Sequence, residues 1–283
     1  MARTRYISNA RTGEAGSEIR GDVIYAPIAG RIGIGGVGQA KNTASSTQRY
    51  TLGTRLVSGD GRVFRYGRCG ASLTDMKHGV KNNGTLVTEY GSIVSACAAG
   101  ATSLTVTFNG DFNDTALAAN QLIGGYISLY NSSSIRDQRM ITSNTAVDAG
   151  GGACTIGIDE PIVTAVAATF GCEVLANPYY DLRNMNEIFS SVMGMPASLP
   201  TTGQYFWIQT WGPCRITPTG AELGTGQNER MFVFDAYGSL RSIDAMDTGN
   251  YSEQNAGFII EKTGPLTASG GEAAPFIMLQ ISP

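Results

Sequence analysis

Along most of the chain, apolar residues recur at every second position in short runs, and each run is bounded by Gly, Pro, Asn or Asp. In TSLTVTFNG, Leu104, Val106 and Phe108 fall on one face with Ser and Thr on the other, the period-2 signature of a half-buried strand. GGYISLYN, ACTIGIDEP, QYFWIQTWG, RMFVFDAYG and APFIMLQISP repeat the theme. RYTLGTRLVSGDGRVFRYG places β-rich runs on both sides of Ser58-Gly59-Asp60-Gly61. The Asp-Gly step supplies the positive φ of a hairpin turn, so Leu56-Val57 is predicted to pair with Val63-Phe64. Two stretches carry helical spacing instead, DTALAANQLI (114–123) and LRNMNEIFSSVM (182–193). No fixed-period repeat of solenoid type is visible. The expected fold class is mainly β, an antiparallel β-barrel or β-sandwich with one or two short helices and an extended N-terminal arm.

The arm is residues 1–48, rich in Arg, Gly, Ser, Thr and Asn. Its one apolar run, DVIYAPIAG, has neither helical nor clean strand periodicity, so the arm is expected to lie extended on some other surface. Residues 49–283 form the β-rich body, with room for a sub-boundary near 181–200.

Composition supports many short strands and tight turns. The 283 residues include 37 Gly, and charged residues make up only 15%. The 42% hydrophobic content suffices for a sizeable core. Basic side chains are 16 Arg against 4 Lys, a bias suited to forked pairing at interfaces. Residues 1–81 carry 13 basic against 5 acidic side chains, and the remainder 7 against 18, so the halves have opposite charge. The five cysteines are widely spaced with no C-x-x-C pair, which disfavours zinc and a dense disulfide framework. The opening MARTRYISNARTG lacks the apolar stretch of a secretory signal, and no run approaches the roughly 18 to 20 apolar residues of a membrane span. Synthesis in the cytoplasm as a soluble chain is expected.

The candidate chemistry is sparse. GIGGVG (33–38) matches the glycine spacing of a dinucleotide-binding turn. That turn needs a buried strand before it and a helix N-terminus after it. Here APIAGRI interrupts the strand with Pro and Gly, and QAKNTASSTQRY has no apolar helical face. We therefore expect Gly33, Gly35, Gly36 and Gly38 to touch no phosphate, and Ile32, Ile34 and Val37 to be buried by a neighbour. His78 is the sole histidine and sits in the polar stretch TDMKHGVKN, a poor setting for a catalytic base. The carboxylate pairs Asp159 with Glu160 and Asp244 with Asp247 leave glycosidase chemistry open, because such partners come from distant segments. Asp159-Glu160 before Pro161 is more simply a turn exit. Asp111, Asn113 and Asp114 in NGDFND could offer oxygens to Ca²⁺, but the later glutamate of an EF-hand loop is missing, and an Asx-rich turn explains them too. No cofactor is expected.

Both tryptophans lie in QYFWIQTWGPC. Tyr205, Trp207 and Trp211 share one parity if the segment stays extended. They form either a stacking surface for sugars or one side of a central strand covered on both faces by core or subunit contacts.

Three stretches together resemble a known family. YTLGTRLVSGDGRVFRYGRCGASL (50–73), NQLIGGYISLYNSSSIRDQRMITSNTA (120–146) continuing into CTIGIDEPIVTAV and NPYYDL, and YFWIQTWGPC (205–214) are similar to virion proteins of tailed bacteriophages. The likeness covers residues 50 to about 240, and its motifs are structural. It implies a non-catalytic component that decorates or cements the outside of the capsid, as a homotrimer or other small oligomer. Its partners would be itself and the major capsid protein, with no direct nucleic-acid or membrane contact. Such a protein works by burying surface across capsomer seams, with interfaces of about 1,600 Å² repeated around the shell. On this reading Arg3, Arg5, Arg11, Arg20 and Arg31 would pair with acidic neighbour surfaces, and Tyr205, Trp207 and Trp211 would supply aromatic contacts. The alternatives are a head or tail fibre that binds a receptor, a major capsid protein, and a glycan-active enzyme. The absence of a long spine helix and of a repetitive shaft argues against the main capsid and fibre readings.

Overall fold

The computed structural model of the chain describes residues 18–20, 23–26, 39–82, 89–93, 96–108, 116–131, 134–168, 170–184, 190–218, 230–243, 253–261 and 274–283. These form 18 strands in two compact units, and the mainly β expectation is met. Unit 1 is Met1–Asn82 with Tyr179–Pro283, and unit 2, Asn83–Pro178, is inserted into it.

Unit 2 is a closed barrel of six strands in the order β10-β7-β6-β11-β8-β9. In chain order they are β6 (Glu89–Ile93), β7 (Ser103–Phe108), β8 (Tyr126–Asn131), β9 (Ser134–Asn144), β10 (Gly152–Ile158) and β11 (Gly171–Leu175). The period-2 pattern sets what points inward. Leu104, Val106 and Phe108 of β7, Ile127 and Leu129 of β8, Ile156 and Ile158 of β10, and Val174 of β11 fill the interior. Closure leaves this sheet no open edge.

The barrel also contains an internal repetition. The pattern Ala-apolar-x-Ala occurs as Ala96-Cys97-Ala98-Ala99, Ala116-Leu117-Ala118-Ala119, Ala146-Val147-Asp148-Ala149 and Ala165-Val166-Ala167-Ala168. The apolar members pair by isolated bridges, Cys97 with Val166 and Leu117 with Val147, and all four join the barrel core. The first three copies end on a residue with positive φ, Gly100 (87°), Asn120 (63°) and Gly150 (99°). Gly and Asn are the residues that adopt this conformation cheaply. The 114–123 stretch is therefore no helix where it is described: Leu117 is held by Val147, and a turn leads into β8. Buried Asn144 locks that turn, accepting from Leu122 N at 2.9 Å and donating to Ala118 O at 3.0 Å.

Unit 1 is built on a twelve-stranded sheet with the main order β1-β2-β3-β4-β14-β18-β17-β15-β16. These are β1 (Glu18–Arg20), β2 (Val23–Ala26), β3 (Arg55–Ser58), β4 (Val63–Arg68), β14 (Tyr205–Arg215), β15 (Met231–Phe234), β16 (Leu240–Ser242), β17 (Gln254–Glu261) and β18 (Phe276–Gln280). The hairpin forms as predicted, with Leu56 opposite Phe64 and Val57 opposite Val63. Gly61 takes φ 83° in its turn. Within the arm, β1 and β2 pair with each other, and β2 then lies parallel to β3. The remaining three strands of the sheet, β5 (Val80–Asn82), β12 (Leu182–Arg183) and β13 (Val192–Pro196), branch from this path: β5 pairs both β12 and β13, and β13 also pairs β14. The second helical expectation, 182–193, gives way to strand at both ends, because Leu182 and Val192 are buried in strand pairings. Gly238 (φ 76°) lies so close to Gly79 that a Cβ would meet the Gly79 carbonyl oxygen. This approach lets Gly79 N donate to Gly238 O at 2.8 Å.

Candidate docking face

β14 decides where the aromatic residues go. Tyr205 and Trp207 share a face with Tyr66 of β4, while Phe206 and Ile208 point the opposite way into the core formed with Leu182 and Val80. Trp207 is fully buried, its ring 4.9 Å from that of Tyr66 and 5.2 Å from that of Tyr50, and its Nε1 donates to Gln39 O at 3.2 Å. Half-buried Tyr205 stacks on Tyr66 at 6.1 Å. Of the two readings, Trp207 takes the core one: the indole is buried inside its own unit, and its assignment as an interface or sugar-stacking residue is corrected. The expected shared parity of Trp211 is corrected as well. Against β4 the register slips between Gln209 and Trp211, so two steps on β14 span one on β4. The bulge turns Trp211 to the other face of the sheet.

Beyond the bulge, across β14, β18, β17 and β15, that other face is apolar and open. Directly opposed residues carry one row across four strands: Pro213 of β14 faces Met278 of β18, Met278 faces Phe258 of β17, and Phe258 faces Met231 of β15. A neighbouring row runs Arg215–Phe276–Glu261, and Trp211 faces Gln280 on the other side. Phe258 is 40% exposed, Met231 43%, Phe276 43% and Ile260 50%. The reverse side of the same strands holds Ile277, Leu279 and Phe232 in the core. Side chains opposed across strands lie about 5 Å apart, so these residues form one contiguous patch rather than scattered exposed groups. Covering a Phe or Met side chain completely is worth about 1.5–3 kcal/mol.

The sequence reading passed over these residues. Their signal was nonetheless present: Met231-Phe232-Val233-Phe234 and Phe258-Ile259-Ile260 are continuous apolar runs within strands, the mark of a sheet apolar on both faces.

Of the other candidates, Arg3, Arg5, Arg11, Arg31, Ile32, Ile34, Val37 and the GIGGVG glycines lie outside the described residues, as do Asp111, Asn113, Asp114, Asp244 and Asp247. Arg20 ends β1, its backbone opposite Val23. His78 is in a surface loop with Nδ1 3.3 Å from Asp75 Oδ1. Asp159 Oδ1 accepts from Met140 N and Glu160 N, each at 3.0 Å, which makes it a turn residue. All five cysteines are free thiols. Among the described residues, no three His, Cys, Asp or Glu side chains gather as a metal site requires. No helix among them is long and apolar enough to cross a membrane.

The chain was compared with protein-family models, with curated proteins and with solved structures, and it matches none of them.

Proposed function

We propose that this chain is a structural component of a tailed-phage particle, which binds the outer surface of the shell and cements or decorates it without a chemical step. The observation that carries the reading is the Pro213–Met278–Phe258–Met231 row, a continuous, partly exposed apolar stripe across four strands of the kind that marks protein contact. The occupant we assign to it is an apolar surface of the major capsid protein. Arg215 and Glu261 at the edge of the face would set register there, since charges at an interface rim steer and orient more than they bind. The likeness of residues 50 to about 240 to phage virion proteins supplies the particle, and the face supplies a means of attachment. Self-association into a trimer or another small oligomer belongs to the same reading, because repeated weak contacts around a shell add through multivalency.

The test mixes the purified chain with shells that lack it and measures bound copies by co-sedimentation. Saturating, stoichiometric occupancy is the expected result, and Phe258→Glu should abolish it while leaving the melting temperature close to that of the parent. A parent chain that does not bind such shells overturns the proposal.

A further inference from the structure

We propose that a recess in unit 1 binds a carboxylate carried on a short apolar body. The recess has a volume of about 470 Å³ and lies between Lys41, Arg62, Phe64, Met76, Met195 and Arg215, with no Asp or Glu among the described residues of its lining. Its walls divide by chemistry. Phe64, Met76 and Met195 are apolar and would pack against hydrocarbon, while Lys41 and Arg62 form a cationic rim. Both cations lie against the same ring, with Lys41 Nζ 5.1 Å and the Arg62 guanidinium carbon 5.6 Å from the Phe64 centroid.

Donors remain available at that rim. Lys41 Nζ donates one hydrogen to Ser58 Oγ at 2.9 Å, which leaves two for a ligand. Arg62 is held by its Nε to Asp60 Oδ2 at 2.7 Å, and its two terminal nitrogens have no hydrogen-bond partner among the described residues. Those two nitrogens form the fork that takes a carboxylate in two parallel hydrogen bonds. Asp60 thus orients the Arg62 side chain without occupying its binding end. Burial, and then the nearby Arg62 charge, hold the Lys41 ammonium below its ordinary value, with the Asp60 carboxylate opposing them. A carboxylate between the two cations relieves that repulsion, whereas a second cation would add to it.

This site shares Arg215 with the edge of the shell-binding face but does not rest on the phage reading, so it is tested on the purified chain alone. Sodium hexanoate is titrated while backbone amide shifts are followed by NMR. The expected result is a saturable change at Lys41, Arg62 and Gln209 with a Kd on the order of 1 mM, as befits a fragment-sized ligand. Lys41→Gln and Arg62→Gln should each raise that Kd about tenfold, the loss of one charge-assisted contact, and Lys41→Arg should restore most of it. Inorganic phosphate should bind more weakly than hexanoate because it lacks the apolar body. Acetyl-Leu-Asp-Leu-amide identifies the source: tighter binding than hexanoate points to an acidic segment of a partner chain, weaker binding to a free acid, and either supports the site. Hexylammonium binding as well as hexanoate, or unchanged affinity in both glutamine variants with parental melting temperatures, overturns the proposal.

Discussion

The hydroxyl of Tyr66 donates a 2.6 Å hydrogen bond to Oε1 of Gln39, tying β4 to the segment that leaves the N-terminal arm. Gln39 is 4% exposed and is fully engaged: its Nε2 donates to Tyr205 O at 2.7 Å and to Thr43 O at 2.8 Å, and its backbone carbonyl accepts from Trp207 Nε1. One side chain thereby holds β4, β14 and the incoming chain together. Gln39→Leu leaves the Tyr66 hydroxyl with only the Arg49 N–H it accepts at 3.2 Å and no acceptor for its own hydrogen, and it removes the donor to Thr43 O and Tyr205 O, so stability should fall by about 2 kcal/mol. The urea midpoint measures the loss. Combining it with Tyr66→Phe should cost less than the sum of the two changes, since they share one bond.

Trp207 and Trp211 should behave as different fluorophores. Trp207 is fully enclosed among Tyr50, Tyr66 and Leu56, whereas Trp211 is half-buried beyond the bulge. In Trp211→Phe the remaining emission should be blue-shifted and resist acrylamide quenching; Trp207→Phe should leave emission that is quenched readily. Trp207→Ala should cost about 3–5 kcal/mol through the cavity it creates.

Stability should fall above about pH 9. Burial pushes the Cys69 thiol up to about 11, the Cys214 thiol to about 12 and the Tyr66 hydroxyl to about 12, and it raises Cys97 and Cys154 as well. Each group is neutral in the folded chain at a pH where it ionises in the unfolded one. Below the unfolded values the contribution is fully present; as pH rises from about 9 toward 11 the unfolded chain releases protons first, and the balance shifts toward it. Melting temperatures across pH 7 to 11 should be level at first and then decline, and Cys69→Ser should make the decline shallower.

Residues 83–178 should fold when expressed alone. The barrel has its own closed hydrogen-bonding ring and its own core, from Cys97 through Ala176. The fragment should give a β-type circular dichroism spectrum and a cooperative thermal transition. A fragment that stays unfolded would mean that the barrel core is insufficient by itself.

The strands were legible in the chain because their signal is local. Leu104, Val106 and Phe108 alternate within a single strand, and the Asp60-Gly61 turn places its two partners next to each other. The helical reading of 114–123 failed at Leu117, although Ala118, Ala119, Leu122 and Ile123 recur at the three- and four-residue spacing of a helix face. What settled it was Val147, a bridge thirty residues away that local spacing does not contain. The four Ala-apolar-x-Ala copies were visible as letters, but their meaning depended on which copies pair.

Alternation and turn chemistry thus specified a β protein with a core, since both arise from residues a few positions apart. Three features were settled only by long-range pairing. β9 meets β10 and β6 meets β11, so the barrel closes; unit 2 is inserted at Asn82 and Tyr179; and the bulge after Gln209 sends Trp211 to the face opposite Trp207. The open row from Pro213 to Met231 belongs with these. A strand's own residues define its two faces, but which face is covered depends on the elements that pack against it.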